Sequence, residues 1–389
     1  MKKLYFKVSF LFAGALLLNS CSDDNGASSS SKVSKKQVIA NYADIASANY
    51  HKAYNDAVVL ETAINTFTEN PTDANFTAAK DQWKVARESY GTTEAFRFAN
   101  GPIDDENGPE GLLNAWPLDE NFVDYVEGAT DTGIINATEI YPTITKELLE
   151  GLNENGGEKN ISVGYHAIEF LLWGQDLTAP SEHLPGQRPY TDYVIDGTAS
   201  NQARRALYLN ICADLLTDHL LYMVNQWKSD GPYRTTFLAL PENEAIKNMY
   251  LGITTLVMAE LPIERMEVAL GNADQEDEHS CFSDNTHRDI YLNLKGVINV
   301  YQGTYGSIDG ASLADLVEKA DATIYAATAT AETDALEKVN AILTPFDLAI
   351  SGGIGSAEGQ KVNAAVLQLQ EYGSNLLAGA AKIGILVNN

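Results

Sequence analysis

An all-α fold is predicted by three features of the sequence. Apolar residues recur at three- and four-residue steps through long stretches. Clusters of Gly, Pro, Asn and Asp separate those stretches. Sustained two-residue alternation, the mark of a half-buried strand, is absent from the chain. The spacing predicts eight or more helices, which fit two bundles of about four helices each, over 34–199 and 200–389.

Taken in order, the first helix runs from Ser34 to about Thr68. Ile39, Ala43, Ala46, Tyr50, Ala53, Ala57, Leu60, Ile64 and Phe67 make one stripe along it. Asn70-Pro71-Thr72-Asp73 breaks it and offers caps for the next helix, which aligns Phe76, Ala79, Trp83, Ala86 and Tyr90. Arg87, Glu94 and Arg97 are expected on the solvated side of that helix. Residues 100–121, rich in Gly and Pro, read as a long ordered loop ending at Asp119 and Glu120, and long loops in packed domains often carry function. A short helix is expected over 137–153. The next, starting from Ser162 as N-cap, stops at Gly174. Residues 175–200 are again loop. Helices follow over 200–228 and 242–270, the latter bent at Pro262. Glu260, Glu264 and Glu267 share one of its faces. An acidic loop spans Gly271 to Ser283, and Ser283, Asp284 or Thr286 can cap a helix reaching about Tyr301. Three more helices are expected over 312–328, 332–350 and 357–385.

Acidic residues number 53 against 26 basic ones, a formal charge of −27. Such a surface repels phosphate backbones and attracts cations, so no nucleic-acid partner is expected. Met1-Lys2-Lys3 and the apolar run Phe10 to Leu18 have the lengths of a signal peptide rather than of a membrane span. Leu18-Asn19-Ser20-Cys21 resembles a bacterial lipobox. That resemblance implies cleavage before Cys21, lipidation of its thiol and contact with the membrane through the anchor alone, on the periplasmic face of the outer membrane or on the cell surface. Residues 22–33 are polar and Ser-rich, and read as a tether. Cys212 and Cys281 are too far apart for a CxxC motif and are expected as buried free thiols.

The chemistry is concentrated in Gly164-Tyr165-His166-Ala167-Ile168-Glu169-Phe170-Leu171-Leu172-Trp173-Gly174. On a helix, His166 and Glu169 lie one turn apart on one face. The surrounding side chains are apolar on nearly every side, so the helix is buried. A buried imidazole and carboxyl must be paired, protonated or bound to a metal. The plain alternative is a core His bonded to its own Glu. Gly164 leaves room for another backbone or a ligand. Spare carboxylates and a second imidazole are available to complete a metal site: Glu94, Asp119, Glu260, Glu264, Glu278 and His279. Imidazole with carboxylates suits iron, zinc or manganese. No His is followed by Glu, so HExxH is missing. HxxEH, GxSxG, the P-loop and GxGxxG are missing as well. The spacing therefore names no catalytic residue.

Gly164-x-His166-x-x-Glu169 resembles the signature of the imelysin family, also called peptidase M75 or the iron-regulated protein A group. The likeness continues in Asn114-Ala115-Trp116-Pro117-Leu118-Asp119, in Glu260-Leu261-Pro262-Ile263-Glu264-Arg265-Met266, and in the segment from Glu278 to Asp289 that holds His279, Ser283, Asp284 and His287. The resemblance implies two helical bundles with a site between them. It further implies a cell-envelope lipoprotein that binds iron or an iron complex in an uptake role, beside an outer-membrane uptake partner. Two other readings stand next to that one: a metallopeptidase of the M75 type, and a non-catalytic surface interaction module.

Overall fold

Capping chemistry sets where the first helices begin. The structure, a computed structural model, describes residues 33–387. The signal-peptide, lipobox and most of the tether readings lie outside the described residues. Helix α1 is Lys35–Glu69. The Ser34 hydroxyl accepts the Gln37 amide while the Gln37 side chain accepts the Ser34 amide, a reciprocal cap. Thr72 caps α2, Asp73–Gly91, its hydroxyl accepting the Asn75 amide with no return bond. The remaining long helices are α3, Gly164–Trp173; α4, Gln202–Trp227; α5, Glu242–Thr255; α6, Thr286–Gln302; α7, Leu313–Ala320; α8, Ala322–Asn340; and α9, Ala357–Lys382. Among the described residues the extended structure amounts to one hairpin of two-residue strands, Thr304–Tyr305 and Ile308–Asp309, and an isolated bridge between Val126 and Ala129. None of the described helices is long and apolar enough to cross a membrane.

Eight of these nine helices fall into two groups of four, with one apolar core running through both. α1 packs against α2 and α4, and α3 lies between α2 and α4. α9 packs against α8 and α5, and α6 touches α5, α8 and α2. The expected boundary at 199/200 is not marked by a break between compact units, for the described residues form one. α4 opens no second bundle, because its buried Tyr208, Cys212, Leu216 and Met223 face the first three helices' core. The two groups meet where α6 lies on α2 and on the 3-10 turn Thr92–Phe96.

Several boundaries differ from expectation for local reasons. Helix α2 stops at Gly91, so Glu94 sits on the 3-10 turn rather than on α2. The helix expected over 137–153 is confined to Lys146–Leu152. Val163, not Ser162, occupies the N-cap of α3; the Ser162 hydroxyl donates to the Leu149 carbonyl instead, at 2.6 Å. A further helix, which periodicity does not mark, spans Pro232–Ala239. The break expected near residue 330 falls at Asp321, whose carboxylate accepts the Thr323 and Ile324 amides and caps α8. After Asn340 the chain turns, and Phe346–Ile350 is a separate short helix.

The most consequential departure is at Pro262. α5 does not simply bend there. It continues as a π-helix over Leu256–Glu267, where backbone bonds span five residues and Pro262 has no amide to contribute. That wider turn brings Glu260 beside Arg265, five positions on, with Arg265 Nη2 3.1 Å from Glu260 Oε1. Glu264 faces the same cleft, and Glu267 is left exposed. Cys212 and Cys281 are buried free thiols, as their spacing suggested.

Candidate functional site

Gly164 sets the geometry of the His helix. Its φ of +88° is open to glycine, and a Cβ there would stand 2.6 Å from the Leu113 carbonyl oxygen. The backbone of the 110–113 turn thus lies directly against the start of α3. Two residues later His166 is fully buried, and its Nδ1 is 3.1 Å from Glu169 Oε2. The other Glu169 oxygen accepts both the amide and the hydroxyl of Ser283, at 3.0 and 2.6 Å. The acidic loop is pinned to α3 through that carboxyl.

The pair is not an ion pair. Burial, then the positive Arg87, pushes His166 well below the usual histidine range. Burial pushes Glu169 up to about 8. Each group resists charging because water is excluded and the fixed charge nearby has the wrong sign or is already used. Glu169 therefore contributes stability that is full below its ordinary value of about 4.3 and is lost as pH rises through about 8. Glu169→Gln mimics the protonated acid: its oxygen can accept from Ser283 and its amide can donate to His166. We expect the fall in Tm between pH 5 and pH 8 to become shallower in Glu169→Gln, read by thermal melts across that range. An unchanged slope would show that Glu169 is ionised throughout.

His166 Nε2 has no hydrogen-bond partner in the protein. Its nearest ring neighbours are His279, with centroids 4.7 Å apart, and Trp116, at 5.2 Å. Both of these line a cleft of about 560 Å³, whereas His166 itself lies one layer beneath it. The His166–Glu169 couple is thus sealed but adjacent to an opening. Five carboxylates line the cleft (Glu110, Glu154, Glu260, Glu264 and Asp277) against two arginines, Arg97 and Arg265. Burial lifts Glu110 to about 7 despite the pull of Arg97.

A buried polar network holds His279. Its Nδ1 is 2.9 Å from Asp289 Oδ2. Arg87 grips Asp289 with two contacts, Nε to Oδ1 at 3.0 Å and Nη2 to Oδ2 at 3.2 Å. Ser280 donates to the same carboxylate at 2.6 Å, and Arg87 also reaches Asn114. Burial opposes ionisation of Asp289, but Arg87 overrides it and holds the carboxyl well below its ordinary range. His279 is lowered to about 4, first by burial and then by Arg265. Both imidazoles are neutral at neutral pH, the form that binds metals.

Two of the expected carboxylate ligands are engaged by arginines. Glu94 is 2.5 Å from Arg265 Nη2, which fixes its charge below the usual range against burial. Glu260 is shared between Arg97, at 3.2 Å, and Arg265, at 3.1 Å. Glu278 is buried and does not line the cleft. Glu169 orients His166 rather than facing the cleft. Asp119 caps the short helix Glu120–Val123 through the Asn121 amide and lies outside the site. His287 Nδ1 donates to the Asp284 carbonyl and also stays outside. Among the described residues, no three His, Cys, Asp or Glu side chains are arranged to hold a metal ion by themselves. What the fold does bring together is His166, Glu169, His279 and Ser283, with Glu264 and Arg265 at the cleft.

Arg87, Asn114, Ser280 and Asp289 were not foreseen as site residues. Arg87 sits four positions after Trp83 and three before Tyr90, on the apolar stripe of α2, and that placement was the available signal.

An all-helical chain with a paired-histidine site beneath an acidic cleft, where two helical groups meet, is the class that fold and site define. The imelysin model, Peptidase M75, matches residues 46–376, and the chain belongs to that family. Iron-regulated protein A of Synechococcus elongatus is 28% identical over 257 residues, 64% of this chain. The match spans 58% of the length of that curated relative. A crystal structure named as an iron-regulated protein A precursor, from Parabacteroides distasonis, superposes with a TM-score of 0.70 at 18% identity, over 91% of this chain and 97% of that one. An imelysin-like protein from Psychrobacter arcticum gives 0.63 at 15% identity, with the same coverage. These two likenesses bear on the fold alone.

Proposed function

We propose that this chain captures iron as a hydrated ion in the acidic cleft and holds it on His166 and His279, at the cell envelope, in an uptake role. The observation that carries the reading is His166 Nε2, buried without a partner and one ring away from a second neutral imidazole. A buried nitrogen of that kind costs stability unless something uses it. A carboxyl behind the other ring nitrogen is the usual support for a metal-bound histidine, fixing its tautomer and orientation. Glu169 stands in that position. A cation at Nε2 selects the form in which Nδ1–H donates to ionised Glu169, so binding releases a proton. Two protein nitrogens leave the remaining coordination positions to water, which favours an aquated ion. The net negative lining of the cleft disfavours an anionic chelate, and Glu264 and Asp277 are placed to collect a cation at its mouth. Trp116 and His279 must part for the ion to reach Nε2.

The name of the Synechococcus relative supports iron over zinc. Lipid on Cys21 would hold the chain at the outer membrane, within reach of an uptake partner. Elemental analysis after loading with ferrous iron tests the reading. The expected result is one iron per chain, lost in His166→Ala and in His279→Ala while the circular dichroism spectrum is kept. Equal iron in His166→Ala would overturn it. Casein cleavage by the metal-loaded protein, abolished by Glu169→Ala, would select the peptidase reading instead.

A further inference from the structure

His166 is sealed from solvent, although a cleft of about 560 Å³ opens one layer above it. Two rings that line the cleft make that layer: His279, with centroids 4.7 Å from His166, and Trp116, at 5.2 Å. Trp116 also stands edge-on to His279 and Phe282, at 6.4 and 6.2 Å. Anything in the cleft that is to use the unpartnered Nε2 must pass between these rings.

The two rings are held very differently. His279 Nδ1 is 2.9 Å from Asp289, whose carboxylate is gripped by Arg87 and by Ser280. The main chain after His279 is fixed as well. The Ser280 amide donates to Thr286 Oγ1 at 2.9 Å, and the Ser280 carbonyl accepts the Asn285 amide at 3.2 Å. Trp116 belongs instead to residues 115–118, which lie outside helix and strand and make no backbone–backbone hydrogen bond among the described residues. That strap is tied at its two ends. The Asn114 amide donates to the Glu110 carbonyl at 2.9 Å, and the Asp119 amide donates to the Lys159 carbonyl at 2.8 Å. Ala115 and Leu118 are buried, so the strap's main chain stays in place while Trp116 remains half-buried. The Trp83 indole donates to the Tyr165 carbonyl at 3.0 Å, whereas that of Trp116 has no acceptor among the described residues. Ring contacts alone hold Trp116, and these are weaker than a hydrogen bond to a buried charge. Its free movement is rotation about its own side-chain bonds, with the cleft as the space to turn into.

We infer that Trp116 is a side-chain gate over His166: its indole closes the passage from the cleft to Nε2 and opens it by turning aside, while His279 stays as the fixed wall. Toward iron, this role of Trp116 rests on the function proposed above. As a barrier in front of His166, Trp116 stands without it.

The test reads access first and iron second. Diethyl pyrocarbonate acylates the neutral imidazoles that it reaches, and peptide mass spectrometry gives the rate at each histidine. His51 and His183, both exposed, serve as references. In wild type His166 should react slowly but to completion. Trp116→Ala should raise its rate at least tenfold, with His51, His183 and the circular dichroism spectrum unchanged. Should Trp116→Ala fail to fold, Trp116→Phe, a narrower ring, is read in the same way and should raise the rate at least threefold. An unchanged His166 rate in the folded variant would overturn the inference. So would a wild-type His166 as fast as His51, which means no barrier, or one that never reacts, which means a fixed plug. Stopped-flow mixing with ferrous iron is the second arm. Association and dissociation should both speed at least tenfold in Trp116→Ala, so that Kd moves less than either rate. A weaker Kd at an unchanged association rate would make Trp116 part of the binding surface and overturn the gate for iron. A wild type that binds no iron, with His166 unmasked in Trp116→Ala, would sink the iron reading and uphold the gate.

Discussion

Replacing Asp289 by alanine is expected to cost about 3–5 kcal/mol of folding stability, the range for removing one partner of a buried ion pair. Asp289 and Arg87 are 1% and 2% exposed and meet through two hydrogen bonds. With the carboxylate gone, the guanidinium is left charged in a dry interior, and the Ser280 hydroxyl and His279 Nδ1 lose their acceptor as well. The loss belongs to the orphaned charge more than to the pair. Arg87→Met with Asp289→Leu, which removes both charges, should therefore be less damaging than Asp289→Ala alone. Urea denaturation of the two variants beside wild type measures this. A cost under about 1 kcal/mol for Asp289→Ala would mean that water reaches Arg87. The pH dependence has its own sign. Asp289 is held below its ordinary value, so the stability it contributes is present above about pH 3.9 and is lost as pH falls through its depressed value. Asp289→Asn should flatten the acid limb of the melt series.

Gly164→Ala is the second large effect. The backbone alone is expected to cost about 1–3 kcal/mol, because φ is +88° there. The clash adds to it. The new Cβ meets the Leu113 carbonyl oxygen at 2.6 Å and the Leu112 carbonyl oxygen at 3.0 Å, and both are backbone atoms that cannot rotate away. Relief requires α3 to move from the 110–113 turn. That movement shifts His166, two residues on, relative to Asn114 and Trp116, which follow that turn in sequence. Loss of stability in Gly164→Ala should thus come with weaker iron binding, whereas Gly151→Ala, with nothing within 4 Å, should change neither. Denaturation midpoints and iron titration on the two variants give the comparison. Iron affinity unchanged in Gly164→Ala would detach the site from the helix start.

Periodicity made the helices legible because each long one buries a single stripe. On α1, Ala53, Ala57, Leu60, Ile64 and Phe67 are all buried along the face that their spacing marked. The His166–Glu169 couple was legible for a related reason. Polar groups on a segment apolar all round must be used, and here they bond to each other and to Ser283. Arg87 departs from the rule that charge on a helix is solvated. Its position on the buried stripe outweighed its chemistry, and a carboxylate 202 residues away compensated it. Glu94 and Glu260 were expected as ligands because sequence counts carboxylates without showing which arginines neutralise them. The register at Pro262 was hidden too: proline announces a missing amide, but only packing decides whether the helix kinks or widens.

Unaided, the chain's residue order determined the all-helical class, most of the long helices, the capping segment ahead of α2, and the one buried His–Glu turn, because those depend on neighbours within a few positions. Tertiary structure alone decided that α4 packs with the first three helices, which carboxylates remain free of arginine, and that His279 lies against His166. Those are contacts between segments far apart in the chain, and burial and charge compensation act across space with no local imprint.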